Sequence, residues 1–280
     1  MSMHRRFRRS LAVLFLSAAT AAAQQGPFNK QRVTFTSDGL TLVGFVFKPN
    51  GVGPFPTVLW NHGSEPNPGD GPQFDSVAAV FVPAGYAVFA PVRRGHAGSQ
   101  GRWIQDTIKT VMASSGDAAA ERLMVHLHET QQLDDQLAFL AYAKRQPFVD
   151  KSKLVVAGCS YGGIQTLLAA ERGAGFKAAM PISPAALSWQ GHTVLQDRLK
   201  AAVRTIDMPV LLIQPPKDAS LEPVRVLGEE AKRAGKTRFT AKVYPPTMPD
   251  SEQVHCFGGA KGYHNWAKDA VAFFDGVVGR

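Results

Sequence analysis

The stretch 153–170, Lys-Leu-Val-Val-Ala-Gly-Cys-Ser-Tyr-Gly-Gly-Ile-Gln-Thr-Leu-Leu-Ala-Ala, does most to limit what this chain can fold into. The apolar, β-branched run 154–157 predicts a short buried strand, and 164–170 predicts a helix. Between them lies Gly158-Cys159-Ser160-Tyr161-Gly162. A Gly-x-Ser-x-Gly turn joining a strand to a helix is the signature of a nucleophile elbow. The constraint is steric. The turn is tight enough to strain the serine backbone and push its Oγ above the sheet. Side chains two residues to either side would collide with the turn, so glycine fits best there. The helix that follows points its positive end and free N–H groups at the space beside Ser160.

A chain of 280 residues has room for one large α/β domain around such a turn. A hydrophobic content of 45% with 19% charged residues is ordinary for a globular protein. The N-terminus reads differently. A basic cluster (Arg5, Arg6, Arg8, Arg9), an apolar stretch 11–19 and Ala21-Ala22-Ala23 form the pattern of a signal peptide over 1–23, leaving a mature chain 24–280. Arg8-Arg9 also fits a twin-arginine signal. The expectation is therefore a secreted or periplasmic protein without a membrane anchor after cleavage. The formal net charge of +9 falls by four once those arginines are set aside. No basic cluster interleaved with aromatics remains, so nucleic acid is not an expected partner. Cysteine usage is sparse for an exported chain. Cys159 and Cys256 are expected to be two separate buried thiols, with one bridge as the alternative.

Along the chain, β-rich runs at 32–37 and 41–47 flank Asp38-Gly39, a hairpin signal. Strands are then predicted at 55–60, 86–91, 154–157, 177–182, 209–214 and 239–244. Helices are predicted at 74–83, 116–145, 164–170, 194–203 and 265–277. This order predicts an α/β fold with a mostly parallel central sheet, an antiparallel N-terminal hairpin and helices on both faces.

In an open α/β sheet, ligands sit beyond the carboxyl ends of the strands. A serine hydroxyl needs a base in hydrogen-bond reach, and the base needs a carboxylate to fix its tautomer. Asp218, in the loop after strand 209–214, is the expected carboxylate. Asp207 lies at the wrong end of that strand, and Glu222 is the nearest competitor. His264 is the expected base because the start of the closing helix fixes its position, with His255 as the rival in the same loop. The oxyanion hole is assigned to the backbone N–H groups of Tyr161, directly after the nucleophile, and Ser64, in the His62-Gly63-Ser64 loop. Trp103, Trp189, Phe257 and Trp266 are candidates to line an apolar pocket formed by loops 64–72, 93–115, 184–192 and 245–263. No metal-ligand spacing stands out, and acyl transfer of this kind needs no cofactor.

These features resemble the α/β-hydrolases, and Gly-Cys-Ser-Tyr-Gly-Gly most resembles the dienelactone hydrolase and prolyl oligopeptidase-like branch. The family order Ser…Asp…His is met by Ser160, Asp218 and His264. Arg94-Gly-His-Ala-Gly-Ser-Gln-Gly101 is similar to the Arg-Gly-x-Gly-x-Ser-x-Gly loop of that branch, with Ala97 as an insertion. Dienelactone hydrolases proper carry cysteine where this chain has Ser160. Prolyl oligopeptidases carry an N-terminal propeller, for which 280 residues leave no room. The resemblance implies a serine hydrolase acting on a small ester through an acyl-enzyme. A peptidase or amidase acting on short peptides is one alternative, and a non-catalytic binding protein on the same scaffold is another.

Overall fold

The structure, a computed structural model, describes residues 28–68 and 72–280. The expected signal segment 1–23 lies outside the described residues. Eight strands form one sheet: β1 (Gln31–Ser37), β2 (Leu40–Phe47), β3 (Phe55–Asn61), β4 (Ala87–Val92), β5 (Val149–Cys159), β6 (Phe176–Ile182), β7 (Val210–Gln214) and β8 (Phe239–Val243). Their spatial order is β1-β2-β4-β3-β5-β6-β7-β8. The first two pairings, β1 with β2 and β2 with β4, are antiparallel, and every later pairing is parallel. The Asp38-Gly39 turn closes the β1–β2 hairpin with both residues at positive φ (49° and 74°), as a two-residue hairpin turn requires.

Alternation along the central strands feeds two cores. Leu154 and Val156 of β5 enter one apolar cluster, while Val155, Ala157 and Cys159 enter the other. Helices α3 (Asp117–Glu129), α4 (Gln131–Lys144), α5 (Tyr161–Arg172), α6 (Thr193–Thr205) and α7 (Glu222–Arg233) supply the first. Helices α1 (Gln73–Phe81) and α9 (Tyr263–Val278) supply the second, where Trp266 stacks on Trp60 with ring centroids 6.0 Å apart. Burial of β5 on both faces explains its unbroken apolar run.

Two helices lie where none was predicted. Helix α2 (Ile104–Ser115) buries only Ile104, so its composition carries a weak apolar stripe. In α7 the stripe Val224, Leu227, Ala231 follows Pro223 in the first turn, a good helix start that a short, charge-rich segment obscures. The single helical region expected over 116–145 divides at Thr130, whose φ of −113° and ψ of −102° end α3 and begin α4.

The strand order reverses at β3, which lies between β4 and β5. In open α/β sheets ligands bind at such a switch point, beyond the carboxyl ends of the strands, here those of β3 and β5. Ser160 and His62 immediately follow those two strand ends.

Candidate active site

Ser160 adopts φ 59° and ψ −119°, a conformation sparsely populated by non-glycine residues. Neighbouring backbone over-determines it. The Ser160 N–H donates to Ile182 O (2.9 Å), and its carbonyl accepts from the Gly163 and Ile164 amides (2.9 and 3.1 Å). A Cβ at Gly158 would stand 2.6 Å from Asn61 O, and one at Gly162 only 2.0 Å from the same oxygen. Backbone of β3 therefore fills the space on both sides of the turn, which is why only glycine fits.

Asp218 follows β7, and its side chain is fully buried. One carboxylate oxygen lies 2.7 Å from Nδ1 of His255 and accepts from the Ala219 amide (2.8 Å); the other accepts from Gln214 Nε2 (3.0 Å). Gln214 also donates to Ser220 O, pinning the loop. The carboxylate fixes the His255 tautomer as Nδ1–H, leaving Nε2 buried and without a hydrogen-bond partner among the described residues.

His264, expected to meet Asp218, does not. It sits in the first turn of α9, 57% exposed, with Nε2 3.2 Å from Glu252. The irregular segment after β8, which includes the one-turn element α8 (His255–Gly258), carries His255 to Asp218 first. Cys256, Phe257, Gly258 and Gly259 then take left-handed φ values of 55–69°, turning the chain before α9 starts. Phe257 anchors this turn, fully buried against Tyr244. A helix start fixes a side chain's direction but not its destination, and here that direction leads to the surface.

The cysteines also differ from expectation. Cys159 and Cys256 form a disulfide, with Cα atoms 6.0 Å apart. One precedes Ser160 and the other follows His255. The adjacent dipeptides Cys159-Ser160 and His255-Cys256 are the sequence signal that would have selected His255 over His264.

Tyr161 heads α5, where first-turn amides lack intrahelical acceptors. Ser64 is exposed in the loop after β3, and a Cβ placed on its neighbour Gly63 would lie 3.7 Å from Ser160 Cβ. The loop is thus packed against the serine. Arg93, to which sequence reasoning gives no role, holds that loop from below. Fully buried, its guanidinium donates to the carbonyls of His62 (2.8 Å) and Gly63 and lies 4.4 Å from the centre of the Tyr161 ring. The Arg93 amide donates to His62 Nε2 (3.2 Å), so the His62 proton sits on Nδ1 and is given to Gly63 O (2.8 Å). Burial, and then the charge of Arg93, hold His62 well below the usual histidine range and keep it neutral. The adjacent Arg94 instead pairs with buried Asp135 through Nε (2.9 Å) and a terminal nitrogen (2.7 Å). Glu65, one residue past Ser64, has its carboxyl pushed up by burial, with one oxygen buried and without a hydrogen-bond partner among the described residues.

Of the aromatic pocket candidates, Trp266 lines a small hollow beside the disulfide with Trp60, Val77 and Ile182. Trp189 and Phe257 are buried in the two cores, and Trp103 packs with Ile104, Leu127 and Tyr161. Among the described residues, no group of three or more His, Cys, Asp or Glu side chains is placed to hold a metal ion.

Residues 119–211 match the profile of the prolyl oligopeptidase family. That span holds the elbow and ends before Asp218. Among curated protein sequences none matches the chain significantly. Similar solved structures include Est1E from Butyrivibrio proteoclasticus with ferulic acid bound (19% identity, 89% of this chain, 100% of that one, TM-score 0.65). The Pyrococcus horikoshii acylaminoacyl peptidase is also similar (17% identity, 90% of this chain but 42% of that one, TM-score 0.65). So is the Pyrococcus furiosus esterase Pf2001 (16% identity, 90% and 94%, TM-score 0.65). The fold is that of the α/β-hydrolases. Within that fold, the segment 119–211 is similar to the prolyl oligopeptidase family.

Proposed function

We propose that this protein is a serine hydrolase that cleaves carboxylic esters through an acyl-enzyme. Ser160 Oγ attacks the ester carbonyl while His255 Nε2 takes its proton. The Tyr161 and Ser64 amides hold the oxyanion, and Asp218 keeps His255 in the required tautomer and stabilises the imidazolium. His255 then protonates the leaving alkoxide. In the second half, it deprotonates the water that releases the acid and frees Ser160.

The observation that carries this reading is the 2.7 Å contact of His255 Nδ1 with buried Asp218, which leaves the opposite ring nitrogen free of any partner among the described residues. A fluorophosphonate probe, followed by digestion and mass spectrometry, tests it. Labelling at Ser160 that disappears in His255→Ala and persists in His264→Ala is the expected result. A folded protein that takes up no probe would leave a binding protein on a hydrolase scaffold.

The family match over 119–211 favours one second reading, cleavage of a peptide or amide bond. Turnover of a dipeptide amide at a rate comparable to that of a short-chain ester would select it. We also propose that residues 24–280 form one domain and that the chain is exported. The basic and apolar pattern of 1–23 supports export, and a disulfide beside the site suits an oxidising compartment.

A further inference from the structure

The disulfide joins two parts of the molecule of very different regularity. Cys159 is the last residue of β5, in the middle of the sheet, and the backbone around Ser160 is locked by hydrogen bonds to Ile182, Gly163 and Ile164. Cys256 belongs to the irregular segment between β8 and α9, which contains only short helical turns. The outer parts of that segment are held by Ser76 donating to Ala260 O (3.2 Å), Asn265 donating to Glu252 (2.8 Å) and the Lys217–Asp250 ion pair (2.7 Å), and other contacts lie nearer the site. Gln253 O accepts from the Lys217 amide (2.8 Å), Phe257 is buried, and the Cys256 amide reaches Ser183 Oγ at a long 3.4 Å. The Asp218 contact holds His255 to the pinned loop after β7 and does not by itself link it to the strand that carries Ser160. The covalent path does. From Ser160 it runs through Cys159 and Cys256 directly to His255.

We propose that the Cys159–Cys256 disulfide is the positioning element that holds the base over the nucleophile, so that hydrolysis depends on the bridge being oxidised. This inference rests on the reading of Ser160 and His255 as a catalytic pair. Reduction by a dithiol breaks the S–S bond. The dithiol gives up two electrons and two protons, becomes a disulfide itself, and leaves Cys159 and Cys256 as thiols. Sheet, elbow and the Asp218 site stay in place, while the His255 segment loses its link to the elbow. Cys159 is buried, but Cys256 is partly exposed, so an attacking thiolate has a route to the bridge. A misplacement of about 1 Å costs on the order of a hundredfold in rate when reacting groups depend on alignment.

The test measures oxidised protein, protein reduced with dithiothreitol with its thiols counted after denaturation, and the Cys159→Ala, Cys256→Ala double variant. Each is assayed for kcat and KM on a short-chain nitrophenyl ester. Far-UV circular dichroism checks the fold, and proton NMR follows the His255 Nδ1–H signal, identified by its loss in His255→Ala. The expected result is a kcat lowered at least about tenfold on reduction, with KM changed less than about twofold and circular dichroism unchanged. The His255 signal broadens, oxidised glutathione restores both, and the double variant sits at the reduced level whether or not dithiol is present. An unchanged kcat in fully reduced protein overturns the proposal, and so does loss of activity only in step with loss of secondary structure. If even the oxidised protein turns over no ester and takes no fluorophosphonate, the hydrolase reading fails instead. The NMR signal still decides positioning, because a His255 resonance indifferent to reduction rejects it.

Discussion

Asp218 meets His255 across 2.7 Å, while His264, nine positions further on, faces Glu252 at the surface. The two histidines therefore differ sharply in what their loss should do. His255→Ala is expected to lower kcat by about a thousandfold or more, as removal of a triad base does. His264→Ala is expected to leave kcat/KM within about threefold, since a half-exposed surface contact contributes little. Steady-state kinetics on one ester, with both variants checked for folding, separates them.

Asp218→Asn keeps the size of the side chain but removes the charge that stabilises an imidazolium and lets the amide present the wrong group to Nδ1. A fall in kcat of about 10⁴ is expected, with KM nearly unchanged. Fluorophosphonate labelling should slow in parallel. A large rise in KM with kcat intact would instead assign Asp218 to substrate binding.

Gly162 and Gly276 offer a matched pair. An added Cβ at Gly162 would stand 2.0 Å from the Asn61 carbonyl oxygen, so Gly162→Ala should cost about 3 kcal/mol or more, or prevent folding. Gly276 lies inside α9, with nothing within 4 Å of an added Cβ. There, alanine should gain about 0.5–1 kcal/mol by restricting the unfolded chain and favouring helix. Urea denaturation midpoints report both.

Arg93→Lys conserves charge and loses the fork that serves two carbonyls at once. Leaving His62 O or Gly63 O unpaired in the interior costs about 1–3 kcal/mol, and the loop after β3 would lose its anchor. The expected outcome is a drop in kcat of roughly ten- to a hundredfold, less than that for a triad residue, with KM moving little. Equal kcat in wild type and variant would show that the loop keeps its position without the guanidinium.

His96 and His128 are buried and held down to about 3, chiefly by burial and then by the charge of Arg93. Between that value and the ordinary histidine value near 6.5, the unfolded chain binds protons that the folded one does not. Stability should therefore be complete above about pH 6.5 and fall as the pH drops toward 3, by up to about 1.4 kcal/mol per pH unit for each such histidine. Thermal melts from pH 4 to 7 check the slope, and His128→Gln should make it shallower.

The strands and the elbow were readable because each rests on local pattern. The apolar run of β5 and the spaced glycines state their own geometry, and β3, β4, β6 and β7 carry similar runs. Asp218 was legible as a candidate because a strand end delivers it. The pairing with His255 was not, because it depends on the path of an irregular segment with left-handed turns at Cys256 and Phe257, residue types that do not advertise positive φ. Helix α2 was hidden by its exposure, since a helix that buries one residue imposes almost no periodicity. Arg93 was hidden for the opposite reason. Its role comes from being enclosed by His62, Gly63 and Tyr161, which are remote in sequence and brought together by the switch in strand order.

Among the described residues, the Arg93 guanidinium is met by the carbonyls of His62 and Gly63 and by the face of Tyr161, while Glu65 and Asp135 act on its charge without a direct ion pair. A buried guanidinium behind that loop adds positive potential to that of the N-terminal end of α5, which Ser160 caps. Negative charge arriving beside Ser160 enters a potential already built for it, whether it belongs to a tetrahedral intermediate or to a free acid. The preference that lowers a barrier also retains a carboxylate product. Turnover in this molecule should therefore slow as acid accumulates, a cost inherent in placing a buried arginine behind the site.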